Sequence, residues 1–239
     1  MGAGTQAAQG KLSVLLVHGA GGGAWEWNLW RAVLAAYGLC VHVIELQPVP
    51  AGLSSTSFQD YALQLRRQLQ RMPAPRVLIG ASLGGLLAVV CADAGDALVL
   101  VNPLPPATWG RTTPRRRQWD DVIAWRGQAR VASTRAAMAD ADEASVLFAF
   151  RHWRDESGKV MREAQDGIEV DTPACPALFV ISAQDQDVPP DISLAWAQAW
   201  QAEKLHTTAK THVGPLLGRQ APRIAAETVA WLNRLGLRG

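Results

Sequence analysis

The sequence has few charged residues, few cysteines and no long hydrophobic run. Charged residues make up 18% of the 239 residues and apolar residues 49%, a balance typical of a compact globular domain. The 23 Lys and Arg residues exceed the 21 Asp and Glu residues by only two, so the overall charge favours neither nucleic acid nor a membrane surface as a partner. No apolar run approaches the roughly 18 residues that a membrane-spanning helix needs.

The three cysteines are odd in number and widely spaced, at Cys40, Cys91 and Cys175. This spacing excludes a disulfide framework and a cysteine metal cluster, and it fits a reducing compartment best. Residues 1–10 are small and polar, without the charged start and apolar core of a signal peptide. We therefore expect a cytoplasmic protein.

Short apolar segments alternate along the chain with longer amphipathic ones. Strands are predicted at residues 12–17, 41–44, 76–80, 97–101, 177–181 and 205–209, and helices at residues 28–37, 58–69, 83–92 and about 222–235. Buried strands that alternate with helices predict an α/β fold whose mostly parallel sheet of about six strands is covered on both faces. Functional groups on such sheets lie in the loops at the carboxyl ends of the strands.

Residues 104–172 interrupt this alternation. They contain helix-like stretches around residues 119–135 and 141–154, and they are rich in tryptophan. We predict a helical cap inserted into a core formed by residues 1–103 and 173–239. Most of the cap aromatics are expected to pack the cap onto the core, while Trp109, Trp125 and Trp153 are candidates to line a substrate pocket.

Ser82 lies in the segment GASLGG, residues 80–85, between a predicted strand and a predicted helix. Glycines on both sides of a serine permit the tight, strained turn that lifts a hydroxyl above a parallel sheet. A serine used as a nucleophile also needs a base, a group that orients the base, and N–H donors for the developing oxyanion. This position predicts a nucleophile rather than an ordinary helix cap.

A glycine-rich loop, residues 19–23, follows His18 at the end of the first strand. It lacks the Lys-Ser/Thr of a phosphate-binding P-loop and the spacing of a dinucleotide-binding loop. We predict that the backbone N–H groups of Ala20 and Leu83 form an oxyanion hole. His18 and Gly19 are expected to support this loop, with His18 as a structural histidine rather than a base.

The loop after residues 177–181 carries two candidate acids, Asp185 and Asp187. Asp185 is preferred because it lies nearer the end of the strand, and Asp187 is more easily explained as a surface residue of a turn. The loop after Val101 offers Asn102 in place of a carboxylate.

His212 is the candidate base, because it lies in a loop after the last predicted strand and downstream of Asp185. The resulting chain order of Ser, Asp and His is typical of this type of sheet. His206, in or beside the last strand, stays an alternative. His42 within a strand and His152 within the cap are less suited to the role.

From His18 to the C-terminus the chain resembles the α/β-hydrolase superfamily and, within it, the small-molecule methylesterase and hydroxynitrile lyase group. The matching stretches are VHGA at residues 17–20, GAW-x-W at residues 23–27, the serine segment, Asp185 four residues before Pro189, and His212 followed by PLL at residues 215–217. The resemblance implies an α/β-hydrolase fold.

The same resemblance implies Ser82, Asp185 and His212 as the catalytic residues. The lyases of this group carry Thr directly after the first-strand histidine, where this chain has Gly19. They carry Lys directly after the catalytic histidine, where this chain has Val213. These departures favour hydrolysis over cyanohydrin cleavage.

We therefore expect two-step acyl transfer on a small, partly apolar carboxylic ester, without a metal, an organic cofactor, or a nucleic-acid or membrane partner. A thioester is the nearest alternative, with Arg111 or Arg115 holding a phosphopantetheine or coenzyme A carrier. Otherwise the basic run at residues 115–117 is expected to be a solvated loop. An alternative from another class is a ligand-binding module on the same scaffold. The complete Ser-Asp-His set argues against it, because a binding module is free to lose one member.

Overall fold

A computed structural model describes residues 11–110 and 118–237 of the chain. Within these residues the strands are β1 (Ser13–Val17), β2 (Cys40–Ile44), β3 (Arg76–Ala81), β4 (Ala97–Val101), β5 (Val122–Ile123), β6 (Glu156–Ser157), β7 (Ala177–Ser182) and β8 (Glu203–Thr207). Six of them form one parallel sheet in the order β2-β1-β3-β4-β7-β8, and β5 pairs antiparallel with β6. The predicted α/β fold with a parallel sheet of six strands is confirmed.

The helices flank this sheet and also fill the long connection between β4 and β7. They are α1 (Asn28–Ala36), α2 (Phe58–Gln70), α3 (Leu83–Val90), α4 (Ala107–Gly110), α5 (Trp125–Gln128), α6 (Val131–Ala137), α7 (Glu143–His152), α8 (Gly158–Asp166), α9 (Pro190–Ala199), α10 (Gly214–Leu217) and α11 (Ala221–Leu235). Across the described ranges, no helix is both long enough and apolar enough to cross a membrane.

The central strands are buried on both faces because almost all of their residues are apolar. All five residues of β1 are buried, and so are all five of β4. Successive side chains point to opposite faces of the sheet, so Leu15 and Val17 pack beneath α2 and α3, while Val14 and Leu16 pack against α1 and α11. The two resulting cores hold the carboxyl ends of the strands in fixed positions.

The edge strand β8 runs two residues earlier than the predicted segment 205–209. Its sequence, EKLHT, contains only one apolar residue, Leu205, and apolar content alone therefore misplaces its start. Beyond its end, Ala183 N–H donates to Ala209 O (2.8 Å), which ties the loop after β7 to the loop after β8.

The connection between β4 and β7 differs from the predicted pair of helical stretches. Residues 119–135 contain β5, α5 and α6 in place of one helix, because Val122 and Ile123 pair with β6 and the backbone leaves the helical region at Ala129. Helix α8 was not predicted. Its Val160 and Ala164 belong to the main core, and Glu163 accepts a hydrogen bond from Phe58 N–H (2.7 Å) at the start of α2.

Candidate active site

Ser82 occupies a sharp turn between β3 and α3. Its backbone angles are φ 52° and ψ −120°, a conformation that costs a non-glycine residue on the order of 1–3 kcal/mol. Hydrogen bonds on both sides hold the turn: Ser82 N–H donates to Val101 O, and Leu104 N–H donates to Ser82 O, each at 3.0 Å. A β-carbon at Gly84 would collide with the carbonyl group of Val17, so only glycine lets the turn approach β1 this closely.

His212 and Asp185 form a short hydrogen bond. Nδ1 of His212 lies 2.7 Å from Oδ2 of Asp185, whose side chain is only 1% exposed. The other oxygen, Oδ1, accepts hydrogen bonds from the N–H groups of Asp187 (2.8 Å) and Val188 (3.1 Å). Asp185 is therefore fixed on both oxygens, and it fixes the tautomer and orientation of the His212 ring.

The electrostatic surroundings of His212 are dominated by carboxylates. Burial lowers the pKa of His212, but the hydrogen bond to Asp185 and the negative charges of Asp185, Asp187 and Glu26 outweigh it, and the pKa is raised above 6.5. The environment thus favours the protonated ring, which is the form that a base reaches after it has taken a proton.

Ser82 and His212 line the same cavity, which has a volume of about 690 Å³. Among the described residues no hydrogen bond joins the Ser82 hydroxyl to His212. Such bonds are often long in enzymes without substrate and shorten in the reacting complex. The lining of this cavity also contains Gly19, Ala20 and Glu26.

Two backbone N–H groups next to Ser82 have no hydrogen-bond acceptor among residues 11–110 and 118–237: those of Ala20 and Leu83. Leu83 is the first residue of α3, and Ala20 follows Gly19. A β-carbon added to Gly19 would lie 3.9 Å from the Ser82 hydroxyl oxygen. The two amides predicted to bind an oxyanion are thus near the serine, and no described residue accepts a hydrogen bond from either of them.

His18 is a buried, neutral histidine that holds the glycine-rich loop. Its Nε2 accepts a hydrogen bond from Leu46 N–H (3.0 Å), so Nδ1 carries the proton and donates to Gly19 O (2.8 Å). Burial is the largest cause that lowers the pKa of His18 to about 4, and the charge of Arg154 adds to it. The ring therefore stays uncharged at neutral pH, as the predicted structural role requires.

Four charged side chains hold the rest of this loop. Carboxylates accept from three of its amides: Glu26 from Gly19 N–H (3.2 Å), Glu156 from Gly21 N–H (2.9 Å) and Glu45 from Ala24 N–H (2.8 Å). Arg154 donates to Gly22 O (2.6 Å) and pairs with Glu45. Sequence reasoning missed all four; the contacts of Glu156 and Arg154 join residues more than 130 positions apart along the chain.

Asn102 and Asp140 hold the loop that carries His212. The Asn102 amide donates to His212 O (2.7 Å) and to the Ser182 hydroxyl (2.8 Å). Asp140, from the turn between α6 and α7, accepts from Lys210 N–H, Thr211 N–H and the Thr211 hydroxyl. The one sequence signal for Asn102 was its place directly after β4, at the same edge as the other site residues.

The cavity walls are mainly apolar, and aromatic rings from residues 104–172 supply much of the surface. Trp125 and Trp153, both predicted pocket residues, line the cavity together with Trp119, which packs edge-on against Trp125. Trp125 also contacts Gly21, where φ is +66° and where a β-carbon would collide with the ring.

The structure places the third predicted pocket residue, Trp109, elsewhere. Trp109 is not among the described residues that line the cavity. Its ring stacks on Trp196 of α9 at 5.5 Å and meets Trp200, directly after α9, edge-on at 6.1 Å; both of these rings also contact Phe179 of β7. The structure therefore gives Trp109 a packing contact with the core in place of a cavity wall.

The structure also locates the other residues considered as the acid, the base or a carrier-binding group. Asp187 lines the cavity but makes no hydrogen bond to His212, whereas Asp185 does. His206 lies in β8 and is exposed, and His42 lies in the edge strand β2. His152 ends α7 and contacts Phe148 and Trp25. Arg111 and Arg115 lie outside the described residues.

Asp185, Asp187 and His212 are also close enough to one another to be considered as metal ligands, within 4.8 Å. However, Nδ1 of His212 faces Asp185, and both Asp185 oxygens are already used in hydrogen bonds. This donor set fits an acid–base pair better than a metal centre.

Comparison with known proteins identifies the fold family. The sequence profile of the Alpha/beta hydrolase family matches residues 14–227, which confirms the resemblance at the level of the family. No curated protein sequence matches the chain.

Several solved structures share this fold. Polyneuridine aldehyde esterase is similar with a TM-score of 0.73 and 16% identity, over 92% of this chain and 100% of that one. A pyrethroid hydrolase from Sphingobium faniae gives 0.72 and 18%, over 94% and 98% of the two chains. The thioesterase domain from the curacin biosynthetic pathway gives 0.66 and 17%, over 92% and 91%. At these identities the likeness shows the fold alone.

Proposed function

Because the chain belongs to the Alpha/beta hydrolase family, we propose that it is a serine hydrolase that cleaves a small, partly apolar carboxylic ester. The observation that carries this proposal is the 2.7 Å contact between His212 and the buried Asp185, beside a cavity that also contains Ser82. Fold alone does not determine activity, so the proposal depends on these side chains and not on the likeness to other structures.

In the first step His212 takes the proton of Ser82 while the serine oxygen attacks the ester carbonyl. Asp185 keeps Nδ1 protonated, so that Nε2 is the atom that accepts the proton. The N–H groups of Ala20 and Leu83 stabilise the negative charge on the tetrahedral intermediate. His212 then protonates the leaving alkoxide, and an acyl group remains on Ser82.

In the second step His212 removes a proton from water, which attacks the acyl carbonyl. The second tetrahedral intermediate uses the same two amides and collapses to release the acid and restore the Ser82 hydroxyl. Every bond change is accounted for by the serine, the histidine and water, so the proposed reaction uses no metal and no organic cofactor.

The substrate class follows from the cavity. Its volume of about 690 Å³ is in the range of small-molecule sites, which is about 300–1,000 Å³. Residues 104–172 act in this proposal as the cap, since their Trp119, Trp125 and Trp153 line the cavity that contains Ser82. The free state of Cys40, Cys91 and Cys175 fits a cytoplasmic location.

A thioester is the second candidate substrate, because the same serine, histidine and oxyanion-binding amides can act on it. The described lining residues include no Lys or Arg that could hold a phosphate-bearing carrier. A matched pair of substrates, p-nitrophenyl butyrate and butyryl coenzyme A, separates the two candidates, and we expect kcat/KM to be higher for the ester.

The proposed activity is tested by ester turnover with purified wild type and Ser82→Ala. We expect p-nitrophenyl esters of short and medium chain length to be hydrolysed by the wild type and kcat to fall by at least about 10³-fold in the variant. Equal turnover by both proteins, or no turnover of any ester by folded wild type, would exclude the proposed function. A chain-length series also measures the depth of the pocket.

A further inference from the structure

Glu26 is a buried carboxyl that the proposed mechanism does not use. It lies in the turn Ala24–Trp27, its residue is only 3% exposed, and it lines the cavity that contains Ser82 and His212. Among the described residues it has no ion-pair partner within 4.0 Å. A buried carboxyl without a cationic partner is costly, so its presence requires a reason.

The carboxyl binds the glycine-rich loop and lines the same cavity as the proposed base. Its Oε2 accepts from Gly19 N–H, and Gly19 in turn packs against Ser82. A β-carbon at Gly22 would collide with the carboxylate, so the glycine at this position leaves the space that Glu26 occupies. Glu26 and His212 line the same cavity, and the charge of each acts on the pKa of the other.

We propose that Glu26 is a positioning residue of this site, whose carboxylate holds the His18–Gly19 peptide, next to the Ala20 amide, and whose negative charge stabilises protonated His212. The first role places the Ala20 N–H beside the serine. The second role assists each step in which His212 carries the transferred proton. This inference rests on the proposed function, since it assigns Glu26 to the same site.

The charges that act on Glu26 support the second role. Burial raises the pKa of Glu26 to about 7, while the amides of Gly19 and Gly23 and the charges of His212 and Arg154 lower it. The carboxyl is therefore increasingly ionised above neutral pH, where a serine hydrolase of this type needs a neutral base. His212 itself faces Asp185, Asp187 and Glu26, and all three raise its pKa.

Glu156 provides a matched control, because it holds the same loop from another side. It is buried and accepts from Gly21 N–H (2.9 Å), as Glu26 does from Gly19 N–H. It does not line the cavity, and its charge is not among those that act on His212. Replacing either carboxyl by the amide keeps an acceptor for the loop, but only Glu26→Gln removes a charge beside His212.

The test is an NMR titration of the His212 imidazole in wild type, Glu26→Gln and Glu156→Gln, with the signal assigned by its loss in His212→Asn. We expect the pKa of His212 to fall by about half a unit or more in Glu26→Gln, since a nearby charge commonly shifts a pKa by one unit or more. The pKa of His212 in Glu156→Gln is expected to match that in the wild type. An unchanged pKa in Glu26→Gln, or an equal shift in Glu156→Gln, would overturn the inference.

Ester turnover as a function of pH separates this inference from the proposed function. In Glu26→Gln the acid limb of kcat/KM is expected to move to lower pH and the plateau to fall, whereas a merely structural role would lower the plateau alone. Glu26→Ala, which also loses the bond to Gly19, is expected to lose about tenfold more activity than Glu26→Gln. If the His212 pKa falls in Glu26→Gln but the wild type hydrolyses no ester, the proposed function is excluded and the electrostatic role of Glu26 is kept. If the wild type hydrolyses esters normally but the His212 pKa is unchanged in Glu26→Gln, the function is kept and the role of Glu26 is excluded.

Discussion

The two walls of the cavity are stabilised by different interactions. At the carboxyl edge of the sheet, Ser82 and Asp185 are fixed by buried hydrogen bonds from neighbouring strands and loops. The wall from residues 104–172 includes three tryptophan rings and is stabilised in part by a small apolar cluster around Met138, Val146 and Ala149. Geometry that must be accurate to a fraction of an ångström is thus built on the sheet edge, and contact area is supplied by the cap.

The separation is incomplete, because three charged residues of the cap hold loops of the sheet edge. Glu156 and Arg154 bind the glycine-rich loop, and Asp140 binds the loop before His212. We therefore expect the effect on catalysis to be largest for residues of the sheet edge, smaller for these connecting residues, and smallest for the aromatic lining.

The largest effect is expected for Asp185→Asn. The amide cannot hold the His212 tautomer that leaves Nε2 free to accept a proton, so kcat should fall by about 10³–10⁴-fold with little change in KM. Steady-state kinetics on a p-nitrophenyl ester measures this loss. Asp187→Asn is the matched control and should lose less than about tenfold, since it makes no hydrogen bond to His212. A loss of kcat in Asp187→Asn beyond this limit would contradict the assignment of Asp185 as the acid that orients His212.

A smaller effect is expected for Asp140→Ala, which removes the acceptor for three hydrogen bonds at residues 210 and 211. Loosening of the His212 loop should lower kcat by about tenfold. The control is Glu143→Gln, a cap residue whose ion pair with Arg135 is exposed, and it should leave kcat unchanged. If the two variants behave alike, the cap does not support the catalytic loop.

Trp125→Ala tests the aromatic wall. The loss of a ring from the cavity should raise KM by about tenfold for longer acyl chains and much less for acetate esters. Trp109→Ala is the matched control, because its ring stacks on Trp196 outside the cavity. It should lower the free energy of unfolding by about 2 kcal/mol and leave KM unchanged. The reverse pattern would place the acyl pocket at Trp109.

The smallest effect is a shift in pH dependence. His212 acts as a base only when neutral, and its pKa is raised above 6.5 by Asp185 and the other nearby carboxylates. The acid limb of kcat/KM should therefore have its midpoint above pH 6.5, with activity lost as the pH falls through it. Asp187→Asn should move this midpoint to lower pH. A wild-type midpoint well below 6.5 would contradict the described surroundings of His212.

The sheet edge could be predicted from the sequence because local signals coincide there. An apolar strand, a glycine on each side of Ser82 and the order of Asp185 and His212 all refer to positions that a parallel sheet brings to one edge. These signals need no knowledge of side-chain contacts, and the six strands lie within two residues of their predicted positions.

The cap and the connecting residues could not be predicted in the same way. Glu26, Asp140 and Glu156 act through contacts with residues distant in the chain, and nothing in their local sequence distinguishes them from solvated acids. Helix α8 is amphipathic, but it is only nine residues long and buries few apolar side chains, Val160 and Ala164 among them. Trp109 and Trp125 are equally plausible pocket residues until the packing around each ring is known.

The central claim, that Ser82 is a nucleophile activated by His212, is tested most directly by covalent labelling. Wild type treated with a fluorophosphonate probe should gain one adduct by intact-protein mass spectrometry, located by digestion on the peptide that contains Ser82. Ser82→Ala should gain none, and His212→Ala should react at least about 10³-fold more slowly. No adduct on folded wild type, or an adduct on another residue, would contradict the account.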